Sequence, residues 1–287
     1  MLAIYKKELR SYFTSMTGYV FIAFFLVIIG IYFAVYNLFG QLANFEYILS
    51  DASFIFVILI PILTMRLMAE EKKQKTDQLL LTSPVPISRI IVGKFLAVTT
   101  VYFIAMVIIS LYPLITSQYG LVPFKIAYGS ILGFFLLGAA YIAIGLFVSS
   151  MTESQVVAAV VSFLVILLTV FMDGIAGMLP TDNKSAFLIL AVLLLVLCWI
   201  TYLMMKNITL SLLLAIVSEI ILTAAYFLKP GLFDGIIIKI TGWFSVIARF
   251  SDVIMGVLDI STIIYYVSIV FLFLFLTVQV IKKSRWS

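Results

Sequence analysis

"AEEKKQKTDQLLLTSPVPISR", residues 69 to 89, is the most polar passage of a 287-residue chain in which 64% of residues are hydrophobic and only 11% are charged. The mean hydropathy of the chain is +1.26, far outside the range of a soluble globular domain. The composition is that of an all-α polytopic membrane protein, and this passage reads as a loop between two of its spans. Working outward, the flanking apolar runs lie near 52–69 and 91–115.

A span needs about 20 mostly apolar residues to cross roughly 30 Å of hydrocarbon. That criterion predicts eight spans, near 17–38, 52–69, 91–115, 126–149, 154–177, 186–205, 208–228 and 262–281. The first is too long for a signal-peptide core and is read as retained. An even number puts both termini on one side, and each end is basic: Lys6, Lys7 and Arg10 at the start, Lys282, Lys283 and Arg285 at the finish. Adding Arg66, Lys72, Lys73, Lys75, Arg89, Lys94 and Lys206 gives 13 basic residues on that side against five on the other. The positive-inside rule therefore makes both termini cytoplasmic. The short turn "MMKN" leaves the pair between 186 and 228 open to a six-span arrangement with the same sidedness.

Two segments are amphipathic. In residues 2–16, Tyr5, Leu9, Tyr12 and Met16 share a helical face with Leu2 and Phe13 beside them, while Lys6, Lys7 and Arg10 lie away from it. A helix lying flat on the cytoplasmic surface is expected. Within the outer segment 229–260, Ile247, Phe250, Ile254 and Val257 form a stripe with Arg249 and Asp252 off it, the pattern of a short interfacial or re-entrant helix. Residues 17–287 are read as one transmembrane domain.

Several chemistries are excluded. The chain has no His and one Cys, Cys198, so it holds no internal disulfide, no His or Cys metal site and no Cys-His nucleophile pair. Its net charge of +5 reports orientation, not nucleic-acid affinity. "VGKF" at 92–95 is no phosphate loop, because Ser88 stands where the first glycine is required and Phe95 where Ser or Thr is. No catalytic residue and no bound cofactor or metal is expected.

The loop, 70–90, begins as a helix-favouring stretch from Glu70 to Leu81 and stops at Thr82-Ser83-Pro84. Leu79, Leu80 and Leu81 make an apolar tip on a segment facing water. Such a tip calls for a partner with a groove, or folds back on the membrane surface beside the N-terminal helix.

The stretch "MRLMAEEKKQKTDQLLLTSPVPISRIIVGKF", residues 65–95, resembles the cytoplasmic loop of type-2 ABC exporter permeases of the gliding-motility type. Met65, Arg66, Leu67, Glu70, Glu71, Thr76, Leu79, Leu80, Ser83, Pro84, Gly93, Lys94 and Phe95 carry the likeness. "YKKELRSYFTSMTGYVF" is similar to that family's entry helix, "GLFVSSMTESQVVAA" to its turn between spans four and five, and "GVLDISTIIYYVSIVFLFLFLTVQVIKKSRW" to its last span. The chain departs from the pattern at Lys75, where glycine is usual, at Asp77-Gln78 around the usual acidic position, and in the pair 186–228 beyond a six-span core. The resemblance implies a coupling helix that docks into a separate ATPase subunit, with Leu79, Leu80 and Leu81 filling an apolar groove and Glu70, Glu71, Lys72, Lys73, Thr76 and Asp77 around it. It also implies two permease copies, as a homodimer or a pair with a related chain, two ATPase subunits that bind the ATP and Mg, a pathway lined by spans two and five, and room for accessory subunits in a prokaryotic inner membrane.

Other residues have both a functional and a structural reading. Glu219, in mid-span, costs about 2.5 kcal/mol or more to insert, so it faces protein or water and either gates the pathway or sits protonated or paired in a helix interface. Asp173 marks a span exit. Arg66 reaches lipid phosphates or pairs with Glu70 one turn on. Pro61 bends the second span, passively or as part of the transmission. Gly129 and Gly133 form a GxxxG that signals close helix packing. Rival readings of the whole are a secondary carrier or channel, or a membrane scaffold that recruits a cytoplasmic protein without ATP coupling.

Overall fold

The computed structural model describes all residues except 77–84, 119, 180–181, 206–207, 229–230, 232, 258 and 287. Every regular element among them is helical. In chain order these are α1 (Leu2–Thr14), α2 (Met16–Phe33) running into a π-helical turn (Ala34–Phe39), α3 (Glu46–Ala52), α4 (Ile55–Thr64), α5 (Arg66–Lys73), α6 (Ile87–Ile109), α7 (Tyr112–Thr116), α8 (Phe124–Met151), α9 (Gln155–Met178), α10 (Asn183–Met205), α11 (Ile208–Leu228), α12 (Ile236–Phe244), α13 (Ala248–Ile254) and α14 (Ile260–Trp286).

Among the described residues, five stretches are long and apolar enough to cross a membrane: Met16–Phe39, Ile87–Thr116, Phe124–Met151, Gln155–Met172 and Ile260–Lys283. A sixth is broken, with Glu46–Ala52 set at 62° to Ile55–Lys73. This break, at Ser53-Phe54, lies at the start of the expected second span. Pro61 lies inside α4, one turn before a second interruption at Met65. In the 186–228 region, Asn183–Val196 and Ala215–Leu228 are shorter apolar helical pieces.

The chain divides into two compact units, Met1–Val170 with Val246–Ser287, and Phe171–Ser245. In the second, α10 and α11 form a helical hairpin, and Ala186, Phe233 and Ile237 are buried with Phe187 and Tyr226 packed on them. The first is organised around α8. Its spanning window is 78% buried by protein, against 11–44% for the other unbroken spans, so of these five α8 is the one shielded over most of its surface.

Small residues make that position tenable, because without a hydrophobic drive between helices in lipid, close backbone approach supplies the packing. A Cβ at Gly133 would stand 2.9 Å from a Val253 methyl of α13, and one at Gly138 would stand 2.6 Å from the ring of Tyr102 on α6. One at Gly145 would overlap Oγ1 of Thr64, at the end of α4. Phe25, Phe56, Tyr102 and Phe134, all fully buried, fill the centre, with the rings of Phe56 and Phe134 4.6 Å apart. On α13, Phe250, Val253 and Ile254 are buried against this unit while Val257 beyond it is exposed.

Candidate functional site

The polar loop leaves the bundle through α5, and the junction between α4 and α5 is where the sequence makes helix continuity difficult. Pro61 offers no N–H, and the helix is interrupted at Met65. A broken helix leaves carbonyls at one side and N–H groups at the other in need of partners. Three other elements supply them.

Tyr12 of α1 donates its hydroxyl to the Leu63 carbonyl at 2.8 Å, and burial pushes its phenol above the usual range, with Glu8 adding to the rise. Ser149, near the end of α8, donates to the Met65 carbonyl at 3.0 Å and accepts from the N–H groups of Met68 and Ala69, each at 3.2 Å. One hydroxyl, saturated as donor and acceptor, bridges the break and caps α5 from outside the helix. Lys94 of α6 donates to the Leu67 carbonyl at 2.8 Å.

Lys94 is 1% exposed and is the most buried charge of the site. Its ammonium lies 3.0 Å from Oε1 of Glu8 on α1 and 2.9 Å from Oε1 of Glu71 on α5. Lys7 approaches Glu71 at 3.4 Å from the exposed side. A lysine taken out of water is tolerated only when its donors are all used, and here two carboxylates and a carbonyl use them. The preceding Gly93 lets α1 come close, since a Cβ there would meet the Met1 carbonyl at 3.3 Å and Ile4 at 3.4 Å. The "GKF" of the sequence is thereby explained residue by residue: a close approach, a shared cation and, in Phe95, a buried ring.

The distal end of α5 has its own stop. Lys75 takes a left-handed φ of 57°. Its N–H bonds the Lys72 carbonyl at 3.0 Å and the Thr76 N–H bonds the Glu71 carbonyl at 3.0 Å, the paired bonds of a Schellman motif. A left-handed C′ residue is the place where glycine carries no Cβ penalty, which gives a physical reason for the glycine usual at this position in the resembled pattern. Lys75→Gly is expected to stabilise the end of α5 by up to about 1 kcal/mol, read as slower amide exchange at residues 72–76.

Of the residues expected to face a partner, Glu70 pairs with Arg66 at 2.9 Å, Glu71 with Lys94, and Lys72 with the Ser150 carbonyl. Arg66 also reaches the Thr17 hydroxyl at 3.3 Å. Lys73 is exposed. Asp77, Leu79, Leu80 and Leu81 lie outside the described residues. Glu219 is half-buried in α11, with Oε1 buried and no hydrogen-bond partner among the described residues. Pro61 is buried in α4.

Glu8, Tyr12 and Ser149 were not legible as site residues from the sequence. A signal for Glu8 did exist: it is the one acid among three basic residues in α1, and a lysine inside an apolar run demands a counter-charge. Ser149→Ala removes three hydrogen bonds at a buried helix break and is expected to cost about 1–3 kcal/mol, seen as a lower unfolding midpoint and earlier proteolysis at residues 65–76.

The sequence profile of the ABC-2 family transporter protein matches residues 2–217. No curated protein and no solved structure matches the chain. The profile covers α1 to α10 and the start of α11, taking in the loop and every residue of the clasp around its base, and the chain belongs to the ABC-2 family of transporter proteins.

Proposed function

We propose that the chain is the permease subunit of an ATP-driven exporter of the gliding-motility type, coupled to a separate ATPase subunit through the loop 70–90. ABC-2 permeases are membrane subunits that typically work with an ABC ATPase partner. The observation that carries the reading is the clasp at the base of the loop. Force applied to the loop enters α5, and α5 is bonded to α1 by Glu71–Lys94–Glu8, to α6 by Lys94 and to α8 by Ser149. A displacement of α5 is thus delivered to a surface helix and two spans at once. That is the mechanical requirement of a coupling element, and a scaffold that only recruits a protein has no need of it.

On this reading Leu79, Leu80 and Leu81 enter an apolar groove of the ATPase, with Lys73, Thr76 and Asp77 at its rim, and the ATP and Mg stay on that subunit. The pathway is made by two permease copies in a prokaryotic inner membrane, and accessory subunits can join them. The 13-to-five distribution of basic residues supports cytoplasmic termini, and the α10–α11 hairpin supplies the two spans beyond a six-span core. Pro61 and the 62° break above it give the second span its points of flexure, and Glu219 is the pathway's candidate gating carboxylate.

The test is co-purification in mild detergent of the wild-type chain and of Leu80→Asp with the neighbouring ATPase. Retention by the wild type and at least tenfold loss in the variant is the expected result, because a charge forced into an apolar groove forfeits a central contact. A wild type that holds no ATPase, or a variant that holds it equally well, moves a carrier or a scaffold to the front.

A further inference from the structure

The end of the first span remote from α1 opens on a cleft of about 700 Å³ lined by Asn37, Leu38, Gln41, Leu42, Ala43, Thr116 and Gly120. Met16–Phe39 has 24 residues, enough helix to cross the hydrocarbon, so the cleft and the loop 70–90 stand at opposite membrane faces. The volume suits a small molecule or a headgroup. Two features set it apart from an incidental gap.

The first is Asn37, 7% exposed. Its amide N–H donates to the Leu42 carbonyl, while its Oδ1 is buried with no partner among the described residues. A buried acceptor without a donor costs about 1–3 kcal/mol, and this one lies on a π-helical turn, an irregularity frequent at functional sites. The second is the chemistry of the lining. Among the described residues it carries two amides, a hydroxyl and apolar surface, and no charged group. Thr116 spends its hydroxyl proton on the Tyr112 carbonyl at 2.9 Å and keeps its lone pairs. Gln41 is exposed and is held at a φ of 53° that only glycine adopts without cost.

An anion finds no cation there, and a cation finds no carboxylate. A ligand that donates hydrogen bonds through several hydroxyls and turns C–H faces to Leu42 and Ala43 meets the exposed Gln41 first, and satisfies Oδ1 of Asn37, which is closed off from solvent, once that side chain turns toward the cleft. We infer that this cleft binds an uncharged, hydroxyl-rich ligand, a neutral sugar either free or as the headgroup of a lipid whose chains lie against the exposed Leu38 and Phe39. This site is independent of the ATP-coupling reading and stands or falls separately.

The probes are free maltose, and nanodiscs of phosphatidylcholine doped with glucosyl diacylglycerol or with phosphatidylglycerol. Binding is read by native mass spectrometry and by the shift in unfolding midpoint. The wild type is expected to take the neutral sugar probe and show no preference for phosphatidylglycerol. Uptake of maltose assigns a soluble sugar; uptake of the glucosyl lipid alone assigns a headgroup. Asn37→Leu, which keeps the approximate shape and removes both the acceptor and the amide's bond to the Leu42 carbonyl, weakens binding about tenfold. Gln41→Gly, which keeps the backbone and removes the amide, weakens it too and guards against a folding defect in the first variant. If neither sugar probe binds, if phosphatidylglycerol is preferred, or if both variants bind as the wild type does, the cleft is a water-filled surface feature and the inference fails.

Discussion

Lys94→Met is expected to destabilise the protein by about 3–5 kcal/mol, the largest effect of any single change at the loop base. The substitution preserves length and apolar fit, so lost packing is a minor part of the loss. What remains is two carboxylates, Glu8 and Glu71, that shared one buried ammonium at 3.0 and 2.9 Å and keep as counter-charge only the exposed Lys7 ammonium, 3.9 and 3.4 Å away. Oε2 of Glu71 is already buried with no partner, so the site has no slack. Thermal unfolding in nanodiscs reads the effect. Glu8→Gln and Glu71→Gln added to Lys94→Met remove the charges left behind and are expected to restore most of the midpoint, since a buried pair replaced whole costs far less than one broken in half. A triple variant no more stable than the single one would show that Lys94 acts by shape and not by charge.

Gly145→Leu comes second, at about 3 kcal/mol, the upper end of overpacking costs. The new side chain runs into Thr64, which is fully buried and whose hydroxyl is committed to the Ile60 carbonyl at 2.8 Å. Thr64 cannot rotate away without surrendering that bond, so α4 must move off α8 just above the break that Ser149 bridges. Thr64→Ala is expected to recover part of the loss. Full stability in Gly145→Leu alone would mean that α4 and α8 do not pack as closely as their geometry implies.

How much of this was legible in sequence depended on how far apart the partners lie. Long apolar runs are local signals, and the first, third, fourth and fifth spans and the last were readable from them. Lys75 stood out against the resembled glycine, and its left-handed φ gives the physical reason. The 62° turn at Ser53-Phe54, at the edge of the second apolar run, was not legible, because no residue type announces it. The clasp was illegible for a different reason. Glu8 and Lys94 are 86 residues apart and Ser149 is about 80 from the amides it caps, and no periodicity links such pairs. The sequence shows Lys94 in an apolar run as an anomaly; only the packing of α1 along α6 identifies its partner. The face of α1 was likewise read by hydrophobicity, which passes over Glu8, although Glu8 and Tyr12 are the two residues the helix buries.

On the proposed function, the exposed end of α5 touches an ATP-hydrolysing subunit. Lys73 is the residue to ask, since it is exposed and makes none of the bonds of the clasp. A photo-crosslinking amino acid at position 73, with one at the exposed, apolar position 24 in the first span as control, should yield an ATPase adduct at 73 and none at 24. Adducts to lipid alone at both positions would contradict the account.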